Sequence, residues 1–522
     1  MLTIKQAEWR WAGIWSVVLV LMAMLPYVVV DATTPEDLFF LGFLSNPEDG
    51  HSYLAKMRQG FRGEWSFHLP FTPEAHEGEF LFTYYLFLGH VARWVHLPLT
   101  WVFHLARAIN GAVLLLVLYY AGAWFFHDVA QRRFAFLITA LGSGLGWLVA
   151  FSGKVTADMW VPEGYVFYSL FVNPHFSLAM ACMLLLILWS TTPWGAARID
   201  WRRLAGLVAC SVLLGLALPF SLLTVGVVLL VYTAFRWAGR RRLPWRLIAS
   251  GGAIAVGGGP FVINAYLAST RNAAFAAWSA QNLTPSPPPW DVALSYGIVL
   301  LLAIAGAWIA IRRRRDSDLV LLIWTLCVAV LLYAPFSLQR RLITGWILPL
   351  GMLATAGWYA LPARRRPPDI VAWILAGLTH LFLIGITLVG ALGHSDLLFI
   401  TPDELAALDW LAEGVAPDAL VVASPRTGLH IPAWAGQRVL YGHRFETADA
   451  EARKAQLRAF YGSGDLAALQ GAGPDEDASP DLRPDYVFYG PQEQAISGSG
   501  WQPDPAWRPV YQQGTVTIYA LP

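Results

Sequence analysis

Long apolar runs, each close to the length of a membrane-crossing helix, dominate the first 392 residues of the chain. The hydrocarbon core of a bilayer needs about 20 residues of helix. Such runs lie near residues 13–30, 102–126, 134–151, 175–191, 247–267, 293–311, 319–336, 342–361 and 370–392. They predict a multi-pass α-helical membrane protein whose first run is a retained signal anchor.

The stretch from Leu204 to Phe235 fits either one long helix or two short ones. Its 32 residues would make a single helix of about 48 Å, too long for a hydrocarbon core of about 30 Å. Pro219 interrupts the stretch. Cytoplasmic loops carry the excess of Lys and Arg, and two helices put every basic cluster on the cytoplasmic side: Lys5/Arg10, Arg132/Arg133, Arg198/Arg202/Arg203, Arg236/Arg240/Arg241/Arg242/Arg246, Arg312 to Arg315 and Arg364 to Arg366. We therefore predict about 11 transmembrane helices, with the N-terminus inside and the C-terminus outside.

One further apolar segment, Glu79 to Leu97, lies in the first external loop, residues 31–101. Counting it as a span would invert every later basic cluster, so we predict an amphipathic segment at the outer interface. The predicted transmembrane domain then covers residues 1–392 and includes this long loop.

The composition changes to that of a soluble domain over residues 393–522. Residues 401–522 hold eight Lys or Arg against sixteen Asp or Glu. Thr401 and Glu404 predict a capping box at the start of a helix, and residues 448–460 predict another. The segments DALVVAS, RVLYG, PDYVFYG, RPVYQQG and TVTIYAL predict short strands. A small external α/β domain is expected, with the acidic stretch at 471–481 as a solvated loop.

Overall composition agrees with a membrane protein and excludes other classes. Hydrophobic residues make up 56% of the chain and charged residues 14%, far more apolar than an ordinary soluble enzyme. A net charge of +1 does not indicate a nucleic-acid partner. The three cysteines all lie in apolar runs, which predicts neither disulfides nor a Cys-ligated metal.

The stretch NPEDGHSYLAKMRQGFRGEW, residues 46–65, carries unusual polar chemistry directly after the first apolar run. Asn46 and Pro47 predict a helix start, which places Glu48 and Asp49 in the first turn, where acids favour the helix dipole. One face of this helix holds Tyr53, Leu54, Met57 and Phe61, so an interfacial helix with its apolar side in lipid also explains the pattern. Long loops are usually functional, and this one contains His51, His68, His76, His90 and His96, with His104 at the edge of the next span.

The loop resembles that of the polyprenyl-phosphate-dependent glycosyltransferases of the GT-C class, which include protein O-mannosyltransferases and lipid A aminoarabinose transferases. The residues that carry the resemblance are Asp49, Tyr53, Gly60, Gly63-Glu64-Trp65 and Arg107. The ending VYQQGTVTIYAL also resembles the last hairpin of the external domain in many such enzymes. The resemblance implies a GT-C-like fold over most of the chain.

The resemblance also implies roles for individual residues. Asp49 falls on the acid that acts as the base, although the pair reads Glu48-Asp49 here, so either carboxylate is a candidate. The family's motif of a lysine or histidine followed by PPL is absent from this chain, and HEGEFLFTYYL stands in its place. No family motif therefore supports a role for His76.

Cationic side chains are candidates for the donor phosphate. Arg340 and Arg341 lie at the predicted outer end of span 9, where they either snorkel or bind the phosphate through their forked donors. Arg107 contacts the phosphate or pairs with a loop carboxylate. For Lys56 and Arg58 we expect contact with lipid headgroups.

Three further features are weaker candidates. Tyr53, Lys56, His76 and Glu77 are possible site residues by position in the loop. We expect a metal-free site, since the spacing of His76, Glu77, Glu79 and Asp49 matches no tight ligand motif. A divalent metal bound by these four residues is the alternative. GHRFET at 442–447 is either a plain strand-to-helix turn, the interpretation that we favour, or part of an acceptor site.

Together these observations predict an integral membrane hexosyl- or pentosyltransferase in the plasma (inner) membrane. It would move a sugar from a polyprenyl phosphate to a hydroxyl of a glycan, lipid or protein acceptor on the outer face, with inversion. The alternative is a polytopic transporter or flippase of lipid-linked substrates, because polar residues at membrane depth also suit a substrate pathway.

Overall fold

The computed structural model describes residues 3–192, 199–335, 337–469, 483–497 and 501–522. Its helices are α1 Gln6–Thr33, α2 Pro47–Arg62, α3 Thr83–Val95, α4 Leu99–Phe125, α5 Val129–Leu141, α6 Gly146–Val149, α7 Val166–Val172, α8 Pro174–Thr191, α9 Trp201–Ala217, α10 Ser221–Arg240, α11 Trp245–Arg271, α12 Ala273–Gln281, α13 Pro289–Arg313, α14 Asp316–Leu331, α15 Ile347–Ala360, α16 Asp369–Ala391, α17 Pro402–Gly414, α18 Pro425–His430, α19 Ala450–Ser463 and α20 Pro491–Ser497. The strands are β1 Phe39–Phe40, β2 Phe399–Ile400, β3 Leu420–Val422, β4 Arg438–Val439, β5 Tyr486–Tyr489, β6 Arg508–Gln513 and β7 Val516–Ala520. The predicted acidic loop at 471–481 and Arg198 lie outside the described residues.

The chain divides into two units. Unit 1 comprises Met1–Pro26, His104–Asn264 and Thr284–Leu388, and unit 2 comprises Tyr27–Phe103, Ala265–Leu283 and Val389–Pro522.

The helices of unit 1 follow the apolar runs of the sequence. In the described part of the chain, eight helical segments are long and apolar enough to cross a membrane, and one of them, Val129–Ser152, includes both α5 and α6. The helices α9, α14 and α15 are apolar but shorter. α9 ends at Ala217 and α10 begins at Ser221, so the expected interruption at Pro219 is present, as expected for a residue without an amide hydrogen. The multi-pass helical architecture is confirmed, while the count of 11 spans stays a prediction.

Unit 2 contains a five-stranded sheet with the strand order β4-β3-β5-β7-β6. β3 pairs in parallel with β4 and β5, whereas β7 pairs antiparallel with β5 and β6. All five strands predicted from the sequence are present, and so are the Thr401/Glu404 capping box and the helix predicted at 448–460. Apolar residues of α17, β3 and β7 form a buried core beside this sheet.

The first external loop belongs to the same unit as this sheet. β1 in the loop pairs antiparallel with β2, which joins Phe39 to Ile400. The predicted domain boundary at residue 393 stays a prediction, but residues 389–522 form a unit together with residues 27–103.

Close contact between α2 and α3 depends on two glycines. A Cβ on Gly60 would lie 2.0 Å from the Leu86 carbonyl oxygen, and a Cβ on Gly89 would lie 2.0 Å from the Met57 carbonyl oxygen. Leu54 and Met57 are fully buried. The interpretation of α2 as a helix with its apolar side in lipid is therefore wrong, since that side packs within the protein.

Candidate functional site

The first turn of α2 presents two carboxylates. Pro47 occupies the first helical position, and Glu48 and Asp49 follow in the first turn, as predicted. The helix starts at Asn46 as predicted, and Asn46 is the N-cap residue in a left-handed backbone conformation, without a side-chain capping hydrogen bond. The Asp49 side chain is 46% exposed, which leaves it accessible to a substrate.

The segment Gly442–Thr447, called the GHRFET segment below, contacts both carboxylates. His443 Nε2 lies 3.3 Å from Asp49 Oδ1, and the His443 side chain is only 2% exposed. Arg444 Nε lies 3.1 Å from Glu48 Oε2, in an ion pair whose two side chains are largely exposed. The segment is the predicted strand-to-helix turn, between β4 and α19, and its side chains in addition pair with both acids of α2.

The same segment forms a buried ion pair with α2. Glu446 accepts hydrogen bonds from Ser52 Oγ at 2.6 Å and from Lys56 Nζ at 2.9 Å. The Lys56 side chain is 0% exposed and that of Glu446 is 12% exposed. The Lys56 ammonium also lies 4.4 Å from the centre of the Phe82 ring. Contact of Lys56 with lipid headgroups, as expected from the sequence, is therefore wrong.

The pKa of Glu446 follows from this pairing. Burial by itself would raise the pKa of the carboxyl, but Lys56 and His443 outweigh burial and lower it. Removal of one partner of such a buried pair typically costs about 3–5 kcal/mol. The Lys56–Glu446 pair therefore holds the GHRFET segment against α2.

The hydrogen bonds of His443 define which ring nitrogen carries its proton. The Phe445 amide donates to Nδ1 at 3.2 Å, so Nε2 carries the hydrogen and donates it to Asp49. Burial by itself lowers the pKa of His443, but the hydrogen bond to Asp49 and the charge of Glu446 outweigh burial and raise the pKa above its usual value, with Lys56 opposing.

Arg58 is also turned into the protein. Its Nε donates to the Ala433 carbonyl at 3.4 Å, and burial lowers the pKa of its guanidinium to about 10. Unlike Lys56, Arg58 is partly exposed, so its expected contact with lipid headgroups stays a prediction.

The remaining loop candidates have structural contacts. Tyr53 stacks on Tyr85 with the ring centres 4.3 Å apart. His76 accepts from the Leu69 amide at 2.8 Å through Nε2 and donates from Nδ1 to the Glu74 carbonyl at 2.9 Å. Both of its ring nitrogens therefore hold the turn, which leaves no free lone pair for a metal or a substrate.

The alternative metal site is not assembled. Glu77 is exposed, and the Glu79 carboxylate accepts from Asn272 at 3.0 Å. Among the described residues, no three His, Cys, Asp or Glu side chains come together in a way that suits a metal ion.

Arg340 and Arg341 lie in a short 3₁₀ helix of unit 1, Gln339–Ile343. The Arg340 guanidinium lies 4.8 Å from the Trp160 ring centre, and its Nε lies 3.9 Å from the buried carboxylate of Glu163. The Arg341 guanidinium lies 5.8 Å from the Phe220 ring centre. No carboxylate among the described residues forms an ion pair with Arg341.

Arg107 is enclosed in unit 1. Its side chain is 1% exposed, and its Nη1 donates to the Phe171 carbonyl at 2.6 Å, while Nη2 lies 3.0 Å from Met24 Sδ. Burial of this degree leaves almost no accessible surface for a phosphate.

The sequence did not indicate His443, Glu446 or Glu163 as site residues. The only signal for the first two was the GHRFET sequence itself, with three ionisable side chains in a turn. For Glu163, the signal was an acid in a loop that otherwise resembles a connector.

Comparisons with known proteins identify the fold. No family model and no curated protein sequence matches the chain. The structure is similar to ArnT from Cupriavidus metallidurans bound to undecaprenyl phosphate, with a TM-score of 0.55 and 14% identity over 97% of this chain and 98% of that chain. It is also similar to the oligosaccharyltransferase of Archaeoglobus fulgidus tethered to an acceptor peptide, with a TM-score of 0.51 and 14% identity over 91% of this chain and 69% of that one. A structure of the archaeal enzyme AglB with an inhibitory peptide and a dolichol-phosphate matches with a TM-score of 0.50 and 14% identity over the same shares of both chains.

Both kinds of neighbour are membrane glycosyltransferases, and the match to ArnT extends over nearly the whole of both chains. The predicted multi-pass helical fold with a small C-terminal α/β region is confirmed. The chain has the GT-C fold.

Proposed function

We propose that this protein is a membrane glycosyltransferase that moves a sugar from a polyprenyl phosphate to a hydroxyl acceptor on the outer face of the inner membrane. The observation that carries the proposal is the half-exposed Asp49 carboxylate in the first turn of α2, held by the buried His443. A carboxylate at a helix N-terminus is favoured in its ionised form, as a general base must be.

Asp49 is a better candidate for the base than Glu48. Glu48 pairs with the exposed Arg444, a contact that costs little to form or to lose at a surface. Asp49 is fixed through a buried imidazole, and positioned groups are what proton transfer requires.

The neighbours support the class of donor. ArnT is bound to undecaprenyl phosphate, and AglB is bound to a dolichol-phosphate. In this chain we assign the donor phosphate to Arg341, with Arg340 beside it, because the forked guanidinium suits phosphate oxygens. Arg340 has the partly competing carboxylate of Glu163. Arg107, which is enclosed, has no part in this assignment.

The reaction follows from these roles. The acceptor oxygen attacks the anomeric carbon, Asp49 takes the hydroxyl proton, and the bond from the anomeric carbon to the phosphate oxygen breaks. The electron pair leaves with the polyprenyl phosphate, whose charge a cationic side chain balances. A single displacement of this kind inverts the configuration at the anomeric carbon.

The test measures the donor lipid in cells that make the protein natively. Cells whose only copy is Asp49→Asn are expected to accumulate a hexosyl or pentosyl polyprenyl phosphate, because the donor is still made but not consumed. Lipid mass spectrometry of the membrane extract gives the mass of the sugar and the length of the prenyl chain.

Glu48→Gln is the matched control, since it changes the adjacent acid in the same helical turn. Accumulation in Asp49→Asn but not in Glu48→Gln supports the transferase and assigns the base to Asp49. If neither variant accumulates a glycosylated polyprenyl phosphate while both proteins are present at wild-type levels, the proposed function is wrong.

A further inference from the structure

We propose that His443, in the C-terminal part of the chain, is a positioning residue that orients Asp49 for proton transfer. This inference rests on the proposed function and adds a residue from outside the loop that carries the base. The observation behind it is the contact between His443 Nε2 and Asp49 Oδ1.

The contact uses only one of the two carboxylate oxygens of Asp49. His443 Nε2 donates to Oδ1 at 3.3 Å, and this hydrogen bond restrains the orientation of the carboxylate. Holding a base in one orientation matters, since misplacement by about 1 Å can reduce a rate about 100-fold.

The hydrogen bond at the other ring nitrogen makes His443 a donor and not a proton relay. In the neutral ring, Nε2 already carries the hydrogen and Nδ1 accepts from the Phe445 amide, so neither nitrogen can take a proton from Asp49. The proton from the acceptor therefore stays on the half-exposed Asp49 until solvent takes it. His443 touches neither the sugar nor the phosphate in this scheme.

The GHRFET segment is built to keep the imidazole in place. The amides of Glu446 and Thr447 donate to the His443 carbonyl at 3.1 and 2.8 Å, which closes a tight turn. Glu446 then joins this turn to α2 through Ser52 and the fully buried Lys56. A turn without a positioning role would not need a buried ion pair with the helix that carries the base.

Several charged or titratable groups surround the imidazole. Asp49, Lys56 and His51 face it from α2, and Glu446 faces it from its own segment. Of these, Asp49 is the group that the proposal makes decisive. Neutralising Asp49 should therefore change the titration of His443, whereas neutralising Glu48 should not.

The first arm of the test uses the donor-lipid measurement. His443→Phe keeps a ring of similar size but removes the donor, and we expect it to accumulate the glycosylated lipid as Asp49→Asn does, with transfer reduced about 10- to 100-fold. His443→Gln places an amide donor near the position of Nε2 and should restore much of the transfer. The exposed His127→Phe is the matched control and should behave as wild type.

The second arm observes the imidazole directly and needs no substrate. In the purified full-length protein with ¹⁵N-labelled histidine, the His443 signal is assigned as the one missing in His443→Gln. We expect Nε2 to carry hydrogen in the neutral form, and the pKa of His443 to fall in Asp49→Asn but not in Glu48→Gln.

The outcomes separate the two proposals. Lipid accumulation in Asp49→Asn but not in His443→Phe would overturn the role of His443 and leave the transferase standing. A pKa of His443 that is equal in Asp49→Asn and Glu48→Gln would also overturn it. No accumulation in Asp49→Asn overturns the proposed function itself, whatever the titration shows.

Discussion

At the scale of single residues, the neighbours of the guanidinium groups distinguish Arg340 from Arg341. Arg340 Nε lies 3.9 Å from Glu163, which is longer than a strong charge-assisted hydrogen bond. Arg341 has a ring beneath it and no carboxylate partner among the described residues. The two neighbouring arginines therefore have different surroundings, and the proposal that Arg341 binds the donor phosphate predicts different effects of replacing each.

Binding of undecaprenyl phosphate tests this difference. Arg341→Ala should weaken the affinity of the purified protein for this lipid about 10- to 100-fold, because hydrogen bonds to a charged group contribute about 1.5–3 kcal/mol. Native mass spectrometry with added undecaprenyl phosphate measures the bound fraction. Arg340→Ala should have a smaller effect on affinity, together with lower stability from the unpaired Glu163.

The matched control is Arg364→Ala/Arg365→Ala, which removes two exposed arginines of another loop. Equal binding by Arg341→Ala, the control and the wild type would remove Arg341 from the donor site. If the wild type, Arg341→Ala and the control all bind only bulk phospholipid and no undecaprenyl phosphate, the transporter alternative is favoured.

Residue chemistry was predicted from the sequence only as far as local rules extend. Pro47 and the two acids were expected in the first turn of α2, since helix starts follow from nearby residues. Lys56 was interpreted wrongly because its partner, Glu446, is 390 residues away. No periodicity or spacing in a single sequence indicates such a partner.

At the scale of elements, two glycines determine how closely α2 approaches α3. Each helix contributes one glycine whose missing side chain makes room for a carbonyl of the other helix. Tyr53 on α2 and Tyr85 on α3 stack beside this contact. Since α2 carries Asp49, the packing of α3 fixes the helix on which the candidate base lies.

Gly60→Ala should separate the two helices. Its Cβ would lie 2.0 Å from the Leu86 carbonyl oxygen, a backbone atom that cannot move aside by rotating a side chain. We expect a loss of about 1–3 kcal/mol in stability, as for overpacked cores. Thermal unfolding followed by tryptophan fluorescence measures the change.

Gly462→Ala in α19 is the control for this substitution. A Cβ there meets nothing within 4 Å, so alanine should be neutral or stabilising by up to about 1 kcal/mol. If Gly60→Ala unfolds at the same temperature as wild type and Gly462→Ala, the close contact does not contribute to stability.

Helices and strands were predicted well because each repeats a simple pattern. Five short strands and the break at Pro219 lie where alternation and proline placed them. The partners of those elements were not predicted. The pairing of β1 with β2 joins residues about 360 positions apart through only two residues in each strand, too short for a signal in the sequence.

At the scale of the whole molecule, the fold is shared with solved structures whose sequence identity to this chain is low. Solved structures with 14% identity share the fold over nearly the full chain. A membrane helix needs only apolar character over about 20 residues, so many sequences satisfy it. The chemistry of a site tolerates fewer residue types. In this chain the order of the Glu48-Asp49 pair and the segment HEGEFLFTYYL differ from the GT-C motif that the sequence resembles.

The orientation of the chain in the membrane is the remaining prediction at this scale. Basic clusters predict the N-terminus and the loop at residues 362–368 inside, and the C-terminal part outside. Single cysteines at three exposed positions, Gln6→Cys, Ala363→Cys and Ser463→Cys, report the side of each. The three native cysteines are buried and free, and they are replaced by alanine for this measurement.

An impermeant maleimide applied to intact cells should label Ser463→Cys alone, and all three variants should be labelled after permeabilisation. Labelling of Gln6→Cys and Ser463→Cys together would mean an even number of spans, because the two ends would then lie on one side. That result would contradict the count of 11. The two helices α9 and α10 are the point at which the count would have gone wrong, since reading them as one span changes the parity.

Labelling of Gln6→Cys and Ala363→Cys without Ser463→Cys would mean that the orientation of the whole molecule is inverted. The GHRFET segment and the candidate base on α2 would then face the cytoplasm, and the acceptor would have to be a cytoplasmic hydroxyl.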